Sequence, residues 1–163
     1  MKPHRVEYWL NAKPDDPEVF ADHVAAVCQV YQQAQACTQH GGHVISTDEK
    51  TGIQALERAT PTLPMQPGVV ERPEYAYIRH GTQCVIANCN VATGAVVAPS
   101  IGATRTEEDF AAPIAQTIAT APEAPWIFLV DQLNTHQSET LVRVVARACR
   151  IEEDVGEKEK QGV

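Results

Sequence analysis

His43-Val44-Ile45-Ser46-Thr47-Asp48-Glu49-Lys50 is a β-branched run that closes on three charged residues, the pattern of a strand that carries apolar side chains up to a sheet edge. Its counterpart is Pro125-Trp126-Ile127-Phe128-Leu129-Val130-Asp131, continuously apolar until it too stops at an acid. Such a run predicts a strand buried on both faces in the middle of a sheet. Asp48 ends the first run and Asp131 the second, 83 residues later. If the two strands are neighbours, the carboxylates meet at one edge, and at about 4 Å in an effective dielectric near 20 they repel by about 4 kcal/mol. A positive partner is then needed. Hard divalent cations take oxygen ligands, and a pair of them can activate a nucleophile and stabilise a leaving oxygen in phosphoryl transfer. The plainer alternative is that acids at strand ends mark where the chain returns to solvent.

Working outward, Asp15-Asp16-Pro17-Glu18 places an acidic cap before a proline, which is tolerated at a first helical position. Phe20, Val24, Val27, Tyr31 and Ala34 then recur at steps of three and four, predicting an amphipathic helix of about five turns that His40-Gly41-Gly42 ends. Residues 59–73, with four prolines and Gly68, form a surface excursion. Residues 75–80 and 83–89 predict two strands, the second turning at Ala92-Thr93-Gly94 into 95–98 as a hairpin. Thr106-Glu107-Glu108-Asp109 resembles a capping box ahead of Phe110, Ile114 and Ile118, although Pro113 should kink that helix or delay its start. Ser138-Glu139 caps a last helix with Leu141, Val142, Val145 and Cys149 on one side. Hairpin strands first and strand–helix alternation later imply a mixed α/β sheet with helices on its faces.

A chain of 163 residues is the size of one domain. It has no apolar run of the roughly 20 residues that span a bilayer and no signal-peptide core at its start, so no membrane partner is expected. Five cysteines, an odd count without a secretion signal, suit free thiols in a reducing cytoplasm. The net charge of −8 is uneven: −2 over residues 1–42, zero over 43–106 and −6 over 107–163. Phosphate should repel such a chain unless bases gather on one face.

Four separated blocks carry a resemblance that runs in order from about Lys2 to Cys149. They are Ser46-Thr47-Asp48-Glu49-Lys50-Thr51-Gly52 with its continuation to Arg58, Tyr77-Ile78-Arg79-His80-Gly81-Thr82-Gln83, Thr104-Arg105-Thr106-Glu107-Glu108-Asp109-Phe110, and Val130-Asp131-Gln132-Leu133-Asn134-Thr135-His136. Together they resemble a bacterial insertion-sequence transposase of the insertion-sequence 630 family, in the mariner-type superfamily. The resemblance implies a ribonuclease H-like fold, incomplete at the C-terminus, whose Asp, Asp, Glu triad binds two Mg²⁺ (or Mn²⁺), cuts DNA with water and joins the freed 3′-hydroxyl to a target. Asp48 and Asp131 fall on the first two acids. The third belongs to a motif roughly three dozen residues beyond the second, and only 32 residues follow Asp131. Glu152, Glu153, Asp154, Glu157 and Glu159 lack that motif's surroundings and are not assigned the role. The family's DNA-reading N-terminal region is also missing, so the chain is expected to be truncated at both ends.

The implied division is a linker arm and amphipathic helix over 1–42, a partial catalytic domain over 43–150 and a disordered acidic tail over 151–163. Without the third carboxylate, weak Mg²⁺ binding and no strand cleavage are expected. Partners in the full-length family are transposon-end and target DNA. A fragment that binds or inhibits a full-length transposase, or a metal-dependent nuclease using an acid from its tail, are the alternatives. Lys50, Arg79, His80 and Arg105 are weak candidates for DNA-backbone contact. Asn134 and His136 should sit near the catalytic edge, able to orient water or a phosphate, unless His136 simply caps the next helix. Strand alternation turns Glu49 to the opposite face, a structural place. Cys37-x-x-His40-x-x-His43 lacks a fourth zinc ligand at usual spacing, and Cys84 and Cys89 suit small apolar positions of one strand.

Overall fold

A computed structural model describes residues 13–153. The expected lead-in arm and all of the acidic tail beyond Glu153 lie outside the described residues. Helix α1 (Pro17–Gln39) leads into β1 (His43–Arg58), β2 (Tyr77–Asn90) and β3 (Val96–Gly102), followed by α2 (Glu107–Ala119), β4 (Trp126–Leu129), a short 3-10 helix (Asn134–Gln137) and α3 (Glu139–Ala148). The sheet order is β3-β2-β1-β4. β1 is antiparallel to β2, β2 to β3, and β4 alone runs parallel to β1. A mixed sheet with helices on its faces is what the sequence pattern implies, and its order is consistent with the ribonuclease H-like fold that the resemblance implies.

Strand alternation sorts β1 between two layers. Ile45 and Thr47 are buried on the α2 side, where Thr47 reaches Thr117 through Asn88, whereas Val44 and Ser46 meet α1. The main core lies on the α2 side, where Cys84, Ile86, Phe110 and Ile114 cluster and Ile118, Phe128 and Leu141 close around them. Burial pushes the Cys84 thiol up, and Glu49 nearby adds to the effect. On the other face α1 hydrogen-bonds through Tyr31 Oη to Ser46 Oγ at 3.0 Å. Of its apolar positions only Ala34 is buried, and Phe20, Val24, Val27 and Tyr31 stay more than 40% exposed. The periodic stripe is present, but what it covers is not the core.

Several expected boundaries move. β1 does not stop at Asp48; it continues to Arg58 as a two-stranded ribbon against β2, which is likewise one strand where two were expected. Gly52 and Gly81, with φ of 68° and 100°, accommodate the register shifts that keep this ribbon paired. β4 is the edge strand among the described residues, with Ile127 41% exposed, not a central strand. Helix α2 runs unbroken through Pro113, whose carbonyl accepts from the buried Asn88 amide at 3.1 Å. In α3 the inward positions are Leu141 and Ala146, while Val142, Val145 and Cys149 are exposed. The helix is rotated because Leu141 must reach the core under α2.

The α2 capping box forms as expected. Thr104 Oγ1 donates to Asp109 Oδ2 at 2.6 Å, the Thr106 amide donates to the same oxygen at 2.8 Å, and the Asp109 amide returns a bond to Thr106 Oγ1. These bonds, Thr104 first, hold the Asp109 carboxyl below its usual range. A carboxyl whose folded pKa lies below its unfolded one contributes fully at neutral pH and loses that contribution as pH falls through the carboxylate range, below about pH 4. The thermal midpoint between pH 7 and pH 3 should therefore fall more steeply in the unmodified chain than in Asp109→Asn. Parallel curves would remove this cap from the chain's acid sensitivity.

Candidate active site at the β1–β4 edge

The parallel ladder between β1 and β4 pairs His43 with Trp126, Val44 with Ile127, Ile45 with Phe128 and Ser46 with Leu129. Each pair is 83 positions apart, the same offset that separates Asp48 from Asp131. Each aspartate lies two residues past the last ladder pair, Asp48 still within β1 and Asp131 beyond the end of β4, and both line one cleft of about 330 Å³ with Val27, Tyr31, Ser46, Thr47, Leu129 and Val130. Alternation places Asp48 on the α1 side, in line with Val44 and Ser46. Its β2 partner is Ala87, and the small methyl leaves the carboxylate uncovered.

Each carboxylate is anchored through one oxygen. Asp48 Oδ1 accepts from the Glu49 amide at 2.8 Å, and Asp131 Oδ1 accepts from the Leu133 amide at 3.0 Å. The second oxygen of each makes no hydrogen bond among the described residues, which leaves two hard oxygen donors on residues that line the cleft. That donor chemistry fits a divalent cation of the Mg²⁺ class at two of its ligand positions. Among the described residues no group of three or more His, Cys, Asp or Glu side chains is arranged to hold a metal ion.

On the opposite face, Glu49 and His136 meet. His136 Nε2 lies 3.1 Å from Glu49 Oε1, and both side chains are almost wholly buried. His136 Nδ1 is 2.7 Å from Asp131 Oδ1 and hydrogen-bonds the Asp131 main-chain oxygen at 3.1 Å. The ring stacks on Phe110 with centroids 3.9 Å apart. His136 therefore does not cap α3; Ser138 does, its Oγ accepting from the Leu141 amide. Asn134 opens the 3-10 helix and is exposed. Sequence reasoning missed the Glu49–His136 contact. The one available signal was alternation, which turns Glu49 toward the side where His136 lies.

The basic candidates are dispersed. Lys50 shares the face of Asp48 by alternation and is exposed. Arg79 pairs with Leu56, eight residues and about 26 Å of strand beyond Asp48, and its guanidinium lies 5.6 Å over the Tyr77 ring. His80 Nε2 contacts Glu57 Oε2 at 2.6 Å on the same ribbon. Arg105 is exposed in the loop before α2. The cysteine–histidine segment is also dispersed, because His40 Nδ1 bonds the Ala36 carbonyl while the His43 ring stacks on Trp126.

A protein-family model described as DDE superfamily endonuclease matches residues 43–153, from the first residue of β1 to beyond α3. No curated protein and no solved structure matches the chain. No helix among the described residues is long and apolar enough to cross a membrane.

Proposed function

The chain belongs to the DDE superfamily of endonucleases, and from that membership we propose that it carries the first two acids of a DNA transposase catalytic centre of the insertion-sequence 630 type. The observation that supports this most is that Asp48, in β1, and Asp131, just past β4, share the offset of the parallel β1–β4 ladder and line one cleft. Asp48 and Asp131 would hold Mg²⁺ or Mn²⁺, which when bound supplies charge neutralisation at the scissile phosphate and a more acidic water. The protein's own part is positional. β1 presents Asp48 from a paired strand, the turn after β4 presents Asp131, and Lys50 on the same face offers a cation to the DNA backbone.

Two carboxylates leave a pair of dications under-compensated, and a third ligand that sets metal spacing is not among the described residues around this cleft. The described residues are therefore expected to bind metal weakly and to need an acid from elsewhere for strand cleavage. Mn²⁺ titration followed by paramagnetic resonance should show weak binding that Asp48→Asn lowers by more than the roughly 10–100-fold typical of losing an outer partner of a metal ligand. Unchanged binding in that variant would remove Asp48 from the site. A transposon-end duplex incubated with the purified chain and Mg²⁺ should stay intact; nicking abolished by Asp48→Ala would show that two acids suffice.

A further inference from the structure

Asp131 occupies an awkward place for a residue that must be held accurately. The β1–β4 ladder ends at Ser46 and Leu129, two residues before it, and its side chain is 67% exposed. Backbone pairing stops too early to fix it. Directly behind it lies a buried imidazole with an acid on either side, the His136 side chain being 1% and the Glu49 side chain 4% exposed. Burying two ionisable groups is costly unless each finds a partner, and here each does, in a chain that leads back to the cleft.

We propose that Glu49 and His136 are a positioning pair for Asp131. Glu49 follows Asp48 in β1 but points through the sheet, so its carboxylate grips Nε2 from the core side. Phe110 fixes the ring plane. Nδ1 then hydrogen-bonds the Asp131 main-chain oxygen and stands 2.7 Å from its carboxylate. The separation of the two aspartates is thereby set by Asp48, its covalent neighbour Glu49, His136 and Asp131, a linkage that takes over where the ladder ends. His136 and Glu49 act through Asp131 and face away from the cleft. The consequence for metal binding rests on the reading of Asp48 and Asp131 given above; the hold on Asp131 does not.

Two matched substitutions in the full chain separate positioning from packing. An asparagine amide at position 136 reaches the place of Nδ1, whereas a glutamine amide reaches the place of Nε2. Both lose the stack on Phe110 alike. The reporter is hydrogen exchange of the Leu133 amide, which Asp131 Oδ1 accepts at 3.0 Å. His136→Gln should speed that exchange about five- to tenfold, the worth of one hydrogen bond, while His136→Asn should stay within about twofold of the unmodified chain. Glu49→Ala, which touches neither Asp131 nor Leu133, should follow His136→Gln, and Glu49→Gln, able to pair with either ring tautomer, should not. Equal exchange in the two His136 variants, or no effect of Glu49→Ala, overturns the proposal and leaves a ring that only packs. Mn²⁺ affinity, measured in parallel, should follow the same Asn-against-Gln order. If the exchange contrast appears while Asp48→Asn leaves Mn²⁺ binding untouched, the positioning pair stands and the metal reading falls. If Asp48→Asn removes binding while the two His136 variants exchange alike, the metal reading stands and the positioning pair falls.

Discussion

Phe110→Ala should destabilise the chain by about 3–5 kcal/mol, the range for truncating a fully buried aromatic. The ring is 0% exposed and is the largest side chain of the cluster with Cys84, Ile86 and Ile114. It also forms the floor beneath His136, so its loss opens a cavity between α2 and the 3-10 helix where the second aspartate is supported. Phe110→Leu keeps most of the volume and should cost less than half as much, yet it removes the flat surface against which the imidazole stacks. Urea unfolding of the two variants checks the first claim. An Ala variant within about 1 kcal/mol of the unmodified chain would mean that this cluster is not the chain's main core.

How far the site was legible in the sequence depends on whether a residue's neighbours are local. That Asp48 and Asp131 come to one cleft could be anticipated because each ends an apolar run; that the parallel ladder shares their offset is what the structure adds. The α2 cap could be found because Thr106 and Asp109 are three residues apart and satisfy each other. The Glu49–His136 contact spans 87 residues, and no period or cap announces it. The histidine even had a plausible local role, which Ser138 occupies in its place. The resemblance, resting on four separated blocks, agrees at the level of the DDE superfamily with the match over residues 43–153; its insertion-sequence 630 assignment is finer than that match.

Non-local pairing accounts for the boundary errors as well. Thr51-Gly52-Ile53-Gln54 loses the apolar alternation of the preceding run, and on its own it suggests a turn. It is held as strand by β2, which supplies partners from Gln83 out to Tyr77. In α1 the opposite holds. Phe20, Val24, Val27, Tyr31 and Ala34 have a clear helical period, and this stripe does reach the sheet, Ala34 being buried and Tyr31 bonding Ser46, yet its four larger side chains stay more than 40% exposed. Periodicity locates a stripe; only packing decides how much of it is buried.

The second large effect is expected at Asn88, 0% exposed in β2 directly opposite Thr47 of β1. Its side-chain oxygen accepts from Thr47 Oγ1 at 2.7 Å, and its amide donates to Thr117 Oγ1 at 2.9 Å and to the Pro113 carbonyl at 3.1 Å. Every group of this buried amide is thus used across three elements. Asn88→Leu keeps the branching but strands the Thr47 hydroxyl, at about 1–3 kcal/mol, and removes the amide's bonds to Thr117 Oγ1 and the Pro113 carbonyl, so a loss of several kcal/mol is expected. Adding Thr47→Val and Thr117→Val should recover a good part of it, because removing both ends of a buried hydrogen bond costs far less than removing one. The position of this network matters for the site. Thr47 immediately precedes Asp48, and a slip of one residue between β1 and β2 would turn Asp48 into the core and Glu49 toward the cleft. An apolar pair would tolerate such a slip more readily than an amide whose three partners come from β1 and α2. Urea unfolding of the single and triple variants gives the stability terms. The register is then checked by whether Asp48→Asn still alters Mn²⁺ binding in the triple background. A triple variant that is restored in stability and keeps that response would show that β1 holds its register without the polar core.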